Sequence, residues 1–515
     1  NSSSSSSSAS QKEDIALVLV GPVVGKVTDT SAVILLEVDE NVEITCTAVP
    51  ASGTAVSATR WFPARRPRTF TLKGLKPDTK YMYSFSGLSH AQDDELASLH
   101  CCFRTLPPAD QIQRFRIVAL SCDRPRRLLE GEENPWERIE KLCSEPLSSS
   151  SSSSAAHDQG KQPCVDVVLH LGDQVYTNMD GFLDRAVLKT ALFSRPQACE
   201  KVKEKVLQEA TEELRGAYRY CWGLPTTRAV LCKASHLMIW SDNDVANDFT
   251  ELEHSDGCQL YSPELILAGM NVYTEYQRQL WSPECEGEIK HSHQPESKET
   301  EESMMEEWHF HVYGKIGVFL ADMRGNRIST KGEKRSGNIC SDEQKEALLT
   351  AFDTAGLMCM IVASEIPFVS DASANVQTLA RKFKFLEGHW AHEQKFCTWL
   401  YELCFDWKAA RKGREVILIG GDIHCGLVHE LKDSVTDQVI RSITTSPITN
   451  HVCPYYFPLE GTFNDRFSYT AKHFPDQRNF AVLDVSFTSD DHCCVDVHIE
   501  LVPTRQATSE DVFTQ

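Results

Sequence analysis

Four mostly apolar runs in this chain each close on a short polar cluster, and that repeated pattern constrains the fold more than any other feature. The runs are FRIVALSCD (Phe115–Asp123), VVLHLGDQVY (Val167–Tyr176), HLMIWSDND (His236–Asp244) and VILIGGDIH (Val416–His424). Apolar runs of this length suit buried strands. Open α/β sheets place their chemistry at the carboxyl ends of such strands. One cluster alone is an ordinary turn. Four of them, carrying Asp, Tyr, Cys and His, predict one site assembled at strand ends from groups that bind hard metal ions.

Each cluster has a plain reading beside the functional one. Asp173 leaves a mostly apolar strand through Gly172, which permits a sharp turn, and a carboxylate there is placed to bridge two cations. Tyr176 lies three residues on; its phenolate suits Fe³⁺, a hard and strongly acidic ion, better than Mg²⁺ or Zn²⁺. The plain alternative is an Asp-initiated turn with a packed tyrosine. Asp422 and His424 follow a Gly-Gly pair and, being two apart, face the same way in an extended segment. Carboxylate with imidazole suits a first-row metal. Trp240-Ser241-Asp242-Asn243-Asp244 either caps a helix or supplies Asp242 as a ligand with Asn243 facing a substrate. Cys122 is either a thiolate ligand or one more buried cysteine.

The 515 residues are enough for a large catalytic domain beside a smaller one. A net charge of −21 argues against non-specific binding to nucleic acid or anionic membrane, which needs Lys and Arg to displace phosphate counterions. An anionic substrate would then need local positive charge, which bound metal ions supply. The 19 cysteines include no C-x-x-C pair, so a zinc ribbon and a redox dithiol are disfavoured and most read as small buried hydrophobes. That odd, unpatterned set slightly favours a reducing compartment. The best apolar run, Ile15–Val24, is broken by Gly21-Pro22, so no membrane span is expected and the chain reads as soluble. It begins with Asn, so the sequence is silent on a targeting segment ahead of it.

Residues 1–14 read as a disordered Ser-rich tail. Residues 15–106 read as all-β, from β-branched runs such as SAVILLEV (Ser31–Val38), VEITCTAV (Val42–Val49) and TFTLKGL (Thr69–Leu75). The segment Leu75–Tyr81 resembles the tyrosine corner of sandwich domains, so this part is similar to a fibronectin type III-like sandwich. From 113 to 505 strand-like and helical patterns alternate, an α/β arrangement, with inserted loops at about 146–162 and 284–307. Helices are expected over Asp184–Tyr220, Ser341–Thr354 and Glu393–Lys412, and strands over Phe480–Phe487 and Cys493–Val502.

Taken together, SCD, GDQVY, Trp-Ser-Asp-Asn-Asp, VFLADMRGNR (Val318–Arg327) and GGDIH resemble the PhoD-like alkaline phosphatase/phosphodiesterase family of calcineurin-like metallophosphoesterases. VYTEYQ (Val272–Gln277), Ser446-Pro447-Ile448-Thr449 and NFAVLDV (Asn479–Val485) fit as well. The resemblance implies an αββα metallophosphoesterase sandwich behind the small β-sandwich. It implies Fe³⁺ held by Cys122, Asp173, Tyr176 and His424 or Asp422, with Ca²⁺ nearby sharing Asp173 and using Asp242; other divalent metals are admitted. The implied function is hydrolysis of phosphate monoesters, diesters or both by a metal-bound hydroxide. Asp173 and Asn243 are then the catalytic candidates, and Arg324 binds a phosphate oxygen or else forms an internal salt bridge. The family has Asp-Asp-His-Glu where this chain has Ser241-Asp242-Asn243-Asp244. Asn donates a hydrogen bond but delivers no proton. That departure leaves a second reading open: a weakened or retired metallophosphatase acting as a metal-containing binding or scaffold protein.

Overall fold

The computed structural model describes residues 16–89, 95–144, 165–177, 181–182, 184, 186, 200–247, 263–286, 307–325, 339–369, 394–453, 459–488, 490 and 492–504. The Ser-rich tail, nearly all of both expected insertions and much of the expected helical stretch between 184 and 200 lie outside the described residues.

Seven strands open the chain: β1 (Val18–Val27), β2 (Ser31–Val38), β3 (Val42–Pro50), β4 (Val56–Phe62), β5 (Arg68–Lys73), β6 (Lys80–Ser86) and β7 (Cys102–Arg104). They form two antiparallel sheets, ordered β1-β2-β5 and β4-β3-β6-β7. Strand side chains alternate between faces, so Tyr81, Tyr83 and Phe85 of β6 point inward together and share a core with Ile34, Leu36, Phe70 and Leu72. The corner expected at Tyr81 is present: its hydroxyl oxygen accepts a hydrogen bond from the Lys76 amide at 2.8 Å.

The rest of the chain builds two larger sheets. The first has five strands, β8 (Arg114–Leu120), β9 (Val167–Leu171), β10 (Ser235–Ile239), β19 (Gln477–Phe487) and β20 (Cys493–Pro503), ordered β10-β9-β8-β19-β20. The second has eight: β11 (His309–Tyr313), β12 (Ile316–Ala321), β13 (Cys359–Ser364), β14 (Glu415–Gly420), β15 (Gly426–Asp433), β16 (Val439–Thr444), β17 (Glu460–Thr462) and β18 (Phe467–Phe474). Its order is β11-β12-β13-β14-β16-β15-β18-β17. Within these sheets β8, β9 and β10 run parallel, and so do β12, β13, β14 and β16.

The alternation of apolar residues on these strands sets the layering. Ile117, Ala119, Leu169 and Leu171 of the first sheet meet Leu320, Ile361, Ile417 and Ile419 of the second in one central core. Their neighbours face the other way. Val118, Leu120 and Val168 pack on Trp136 and Ile139 of helix α1 (Pro135–Ser144). Phe319, Val362 and Leu418 pack on Leu348 and Phe352 of the helix Asp342–Phe352 and on Leu400 of the helix Gln394–Ala409. Strands buried on both faces explain why these runs read as continuously apolar. The helix Asp342–Phe352 starts where Ser341 Oγ accepts the Gln344 amide at 3.0 Å, with two acids in its first turn.

Two further helices, Glu200–Trp222 and Pro263–Tyr276, join the N-terminal strands to this body. Glu37 on β2 is fully buried and takes Arg219 Nε at 2.9 Å and the Tyr276 hydroxyl at 2.6 Å.

Candidate metal centre

The parallel strands end on one side of the molecule, and the loops that leave them converge. Cys122 follows β8, Asp173 and Tyr176 follow β9, Asp242 follows β10, Arg324 follows β12, and Asp422 and His424 follow β14. Backbone hydrogen bonds bind the first two loops together, from the Cys122 amide to the Gly172 carbonyl at 3.3 Å and from the Asp123 amide to the Asp173 carbonyl at 2.9 Å. Glycine is needed where they cross. A Cβ on Gly172 would lie 2.5 Å from Ser241 Cβ, and one on Gly421 would lie 2.5 Å from Ser121 Oγ.

Four of the converging residues hold left-handed backbone conformations: Cys122 (φ 60°), Asp173 (58°), Asp422 (70°) and His424 (55°). Such conformations are uncommon outside glycine and concentrate at functional sites. They also correct one expectation. The Asp422–His424 segment is not extended: the Ile423 amide bonds the Gly421 carbonyl at 3.0 Å, and the two side chains are aimed by a tight turn rather than by strand alternation.

Ligand atoms of Cys122, Asp173 and His424 lie within 4.8 Å of one another, and so do those of Asp173, Asp242 and Asp422. Asp173 belongs to both groups. The Tyr176 hydroxyl joins the first, 2.8 Å from Asp173 Oδ2 and 3.3 Å from His424 Nε2. The geometry thus separates Asp422 from His424: the imidazole sits with the thiol and phenol, the carboxylate with the other two carboxylates.

The electrostatics of this cluster are unbalanced. Burial, then Asp242, Asp422 and Asp244, push the Asp173 carboxyl far above the ordinary carboxylate range. Burial, then Asp173 and Asp422, push the Cys122 thiol up. Tyr176 is raised by burial, then Asp173. Burial, then His451, pushes His424 down to about 3, so its imidazole is neutral and available as a ligand near neutral pH. A cation would reverse the first three shifts at once. The donor chemistry fits such a cation: two atoms of the cluster, Asp173 Oδ1 and Asn243 Oδ1, are buried acceptors with no hydrogen-bond partner among the described residues.

The remaining predicted residues sit around this core. Asn243 is 6 % exposed and donates from Nδ2 to Asp173 Oδ2 at 3.1 Å, so its amide faces the shared carboxylate. Arg324 is 3 % exposed, with Nη2 at 3.2 Å from Asp242 and 3.8 Å from Asp422; its guanidinium stands in the internal salt bridge. Asp242–Asp244 form a short 3-10 turn, and Asp244 is its brace: its carboxylate accepts the amides of Ser241, Asp173, Gln174 and Val175. The helix-cap reading of this segment is therefore realised locally, in the same turn that delivers Asp242.

Sequence reasoning missed several neighbours. Ser446 Oγ donates to Cys122 Sγ at 3.0 Å and accepts the His424 amide at 3.2 Å. Asn450 Nδ2 lies 3.4 Å from His424 Nε2, and the His451 ring stands perpendicular to that of His424 at 4.5 Å. The Arg124 guanidinium lies 5.9 Å above the Tyr176 ring. The signal for Ser446 was in the chain: QVIRSITTSP begins with another strand, β16, that closes on polar residues.

The family model for PhoD-like phosphatases matches residues 151–488, more than half of the chain. The chain belongs to the PhoD-like phosphatase family. A solved structure of PhoD aligns over 95 % of this chain and 93 % of its own, at 12 % identity and a TM-score of 0.56, and so shares the fold. A Paenibacillus sp. cycloisomaltooligosaccharide glucanotransferase aligns over 94 % of this chain and 72 % of its own at 7 % identity, but its TM-score of 0.17 carries no argument. No curated protein matches. PhoD-like membership supports a phosphatase or phosphodiesterase hydrolase with metal cofactors, and the described residues include two groups of side chains able to ligate a metal ion. No helix among the described residues is long and apolar enough to cross a membrane.

Proposed function

We propose that this chain hydrolyses phosphate monoesters, diesters or both at the cluster centred on Asp173. The observation that carries the reading is the double membership of Asp173 in two groups of ligand-capable atoms. In this reading Cys122, Asp173, Tyr176 and His424 hold Fe³⁺, because thiolate and phenolate suit that ion; Asp173, Asp242 and Asp422, all oxygen donors, hold Ca²⁺. When bound, the cations supply Lewis acidity, acidify water for in-line attack on phosphorus and neutralise the phosphate oxygens.

The chain's own residues set the limits of the reaction. Asn243 fixes Asp173 through Nδ2 and keeps Oδ1 as an acceptor in the site, but it supplies no proton to a leaving group. Esters whose leaving groups depart as stable anions are therefore the better substrates. Arg324 balances Asp242 and Asp422; to bind a phosphate oxygen as well, it must share its guanidinium with them. Asp244 and Ser446 hold the loops that carry Asp173 and His424. The N-terminal unit, residues 15–106, is proposed as a fibronectin type III-like sandwich, supported by its two-sheet order and the Tyr81 corner, and residues 113–505 as the catalytic domain.

The test is a panel of mono-aryl and bis-aryl phosphates with metal-loaded wild type and Asp173→Ala. Turnover that Asp173→Ala reduces on the order of a thousand-fold supports the reading. Turnover indifferent to that change removes it, and a wild type that binds metal yet hydrolyses no ester points to the scaffold alternative.

A further inference from the structure

We infer that Asp322 is a positioning residue for one of the two ligand groups: it fixes the Asp242–Arg324 pair, and through that pair it sets the cation affinity of the Asp173–Asp242–Asp422 group but not that of the Cys122–Asp173–His424 group. This deepens, and rests on, the metal-centre reading. Three observations carry it: what the Asp322 carboxylate joins, how firmly Asp322 is itself anchored, and how separately the other group is braced.

Asp322 directly follows β12 and is fully buried. Each of its carboxylate oxygens accepts two hydrogen bonds. Oδ1 takes the amides of Arg324 at 2.8 Å and Gly325 at 2.9 Å, which folds the loop back on itself beneath Arg324. Oδ2 takes the indole N–H of Trp240 at 2.9 Å and the Glu307 amide at 2.7 Å. Trp240 follows β10 and stands two residues before Asp242. One carboxylate therefore ties the loop that carries Arg324 to the turn that carries Asp242, and those two side chains meet at 3.2 Å. The same guanidinium lies 3.8 Å from Asp422 through Nη2 and 4.0 Å from Glu365 through Nε. A shift of either loop changes how strongly Arg324 competes with a cation for Asp242 and Asp422.

Asp322 is anchored from two further elements. The Gln344 side chain accepts the Asp322 amide at 2.9 Å and donates to the Asp322 carbonyl at 2.8 Å. Gln344 lies in the first turn of the helix Asp342–Phe352, at the end capped by Ser341. Glu307 is buried and paired with Arg278 at 3.1 Å. Four N–H donors on one carboxylate also require it to act only as an acceptor, in the charge-assisted bonds that are shorter and stronger than neutral ones. An amide in its place would set an N–H against an N–H.

The other group hangs on different bonds. Asp173 Oδ2 accepts the Tyr176 hydroxyl at 2.8 Å and Asn243 Nδ2 at 3.1 Å, and the Asp173 amide donates to Asp244 at 3.0 Å. Ser446 Oγ serves Cys122 and the His424 amide. None of these bonds includes Asp322, Trp240 or Arg324. Asp244 shares the turn of Asp242, but the amides of Ser241, Asp173, Gln174 and Val175 hold it. Loss of the Trp240 bond therefore leaves that brace standing. Groups that orient metal ligands without touching the metal typically change its affinity about ten- to a hundred-fold when altered.

The experiment is calorimetric titration of calcium chloride into the iron-loaded full chain, as wild type, Asp322→Asn and Trp240→Phe, with iron content, the visible band and urea unfolding recorded on each protein. Trp240→Phe removes the indole N–H and keeps an aromatic ring in the core, so it carries the test if Asp322→Asn folds poorly. Each folded variant is expected to bind calcium about ten-fold more weakly or worse, with iron and its band retained. Undiminished calcium affinity in either folded variant overturns the assignment. So does loss of calcium, iron and stability in step, which is what a merely structural role would give. Wild type that takes up no calcium removes the metal-centre reading for this group, and the proposal with it; wild type that binds calcium beside unchanged variants ends the proposal alone.

Discussion

Glu37 and Asp173 are both carboxylates shut away from water, in opposite surroundings. Glu37 lies where the N-terminal strands meet the helices Glu200–Trp222 and Pro263–Tyr276. Burial pushes its pKa up, and Arg219, Tyr276 and Arg215 push it back. The neighbouring acids are matched as well: Arg215 holds Glu275 at 2.6 Å, and Arg219 holds Glu212 at 2.7 Å. Asp173 is pushed up by burial and then further by three more carboxylates. The interface carries its own counterions; in the ligand cluster Arg324 is set against Asp242 and Asp422, while the charges that act on Asp173 among the described residues are three further carboxylates. Where a fold buries charge for stability it supplies the partner, because an unpaired buried charge is costly. A surplus of buried acid at strand ends marks a place where the partner comes from solution.

The sharpest way to break this contrast is to neutralise each carboxylate in turn. Asp173→Asn is expected to abolish metal retention and reduce turnover on the order of a thousand-fold, while leaving the metal-free protein at least as stable, since it removes repulsion. Urea unfolding of the chelated protein checks the second half; a large loss of stability there would make Asp173 structural. Glu37→Gln is expected to do the reverse. It leaves Arg219 with a weakened partner and destabilises the chain by about 3 kcal/mol, with metal content per folded molecule retained.

Metal removal and pH give a smaller, signed effect. Asp173 has a folded pKa above its unfolded value, so in the chelated protein its contribution is intact below the ordinary carboxylate range and is lost as pH rises through the raised value. His424 has a folded pKa of about 3, below its unfolded value, so its contribution is present above the ordinary imidazole range and is lost as pH falls from there toward 3. Loading metal should cancel the high-pH loss and steepen the low-pH one, because protons then compete with the cations. Melting temperatures across pH, with and without chelator, check this; identical profiles would mean that no cation sits on these groups. The smallest effect belongs to the corner: Tyr81→Phe removes one hydrogen bond, at Lys76, and should cost about 1 kcal/mol in urea unfolding without changing turnover.

Much of this site was readable because buried parallel strands leave continuous apolar runs, and GDQVY and GGDIH stand out after such runs. Cys122, Asp173, Tyr176, Asp242, Asp422 and His424 all come together. The pairing of His424 with Cys122, and of Asp422 with Asp242, was not readable, because it depends on left-handed turns at Asp422 and His424 that residue spacing does not encode. Asn450 and His451 were hidden for a different reason. They follow β16 only after the loop Thr445–Thr449, which is held by Asn479 from another sheet. Arg324 was legible as a cation near the site, but its carboxylate partners are set by sheet order, which no local pattern reveals.

Metal stoichiometry in wild type and Asp173→Ala, read by elemental analysis together with the visible spectrum, tests the central claim most directly. Wild type should retain about two cations per chain, with an absorption band from thiolate or phenolate on Fe³⁺, and Asp173→Ala should lose both cations and the band. Wild type that holds no metal after reconstitution, or Asp173→Ala that holds as much as wild type, would contradict it.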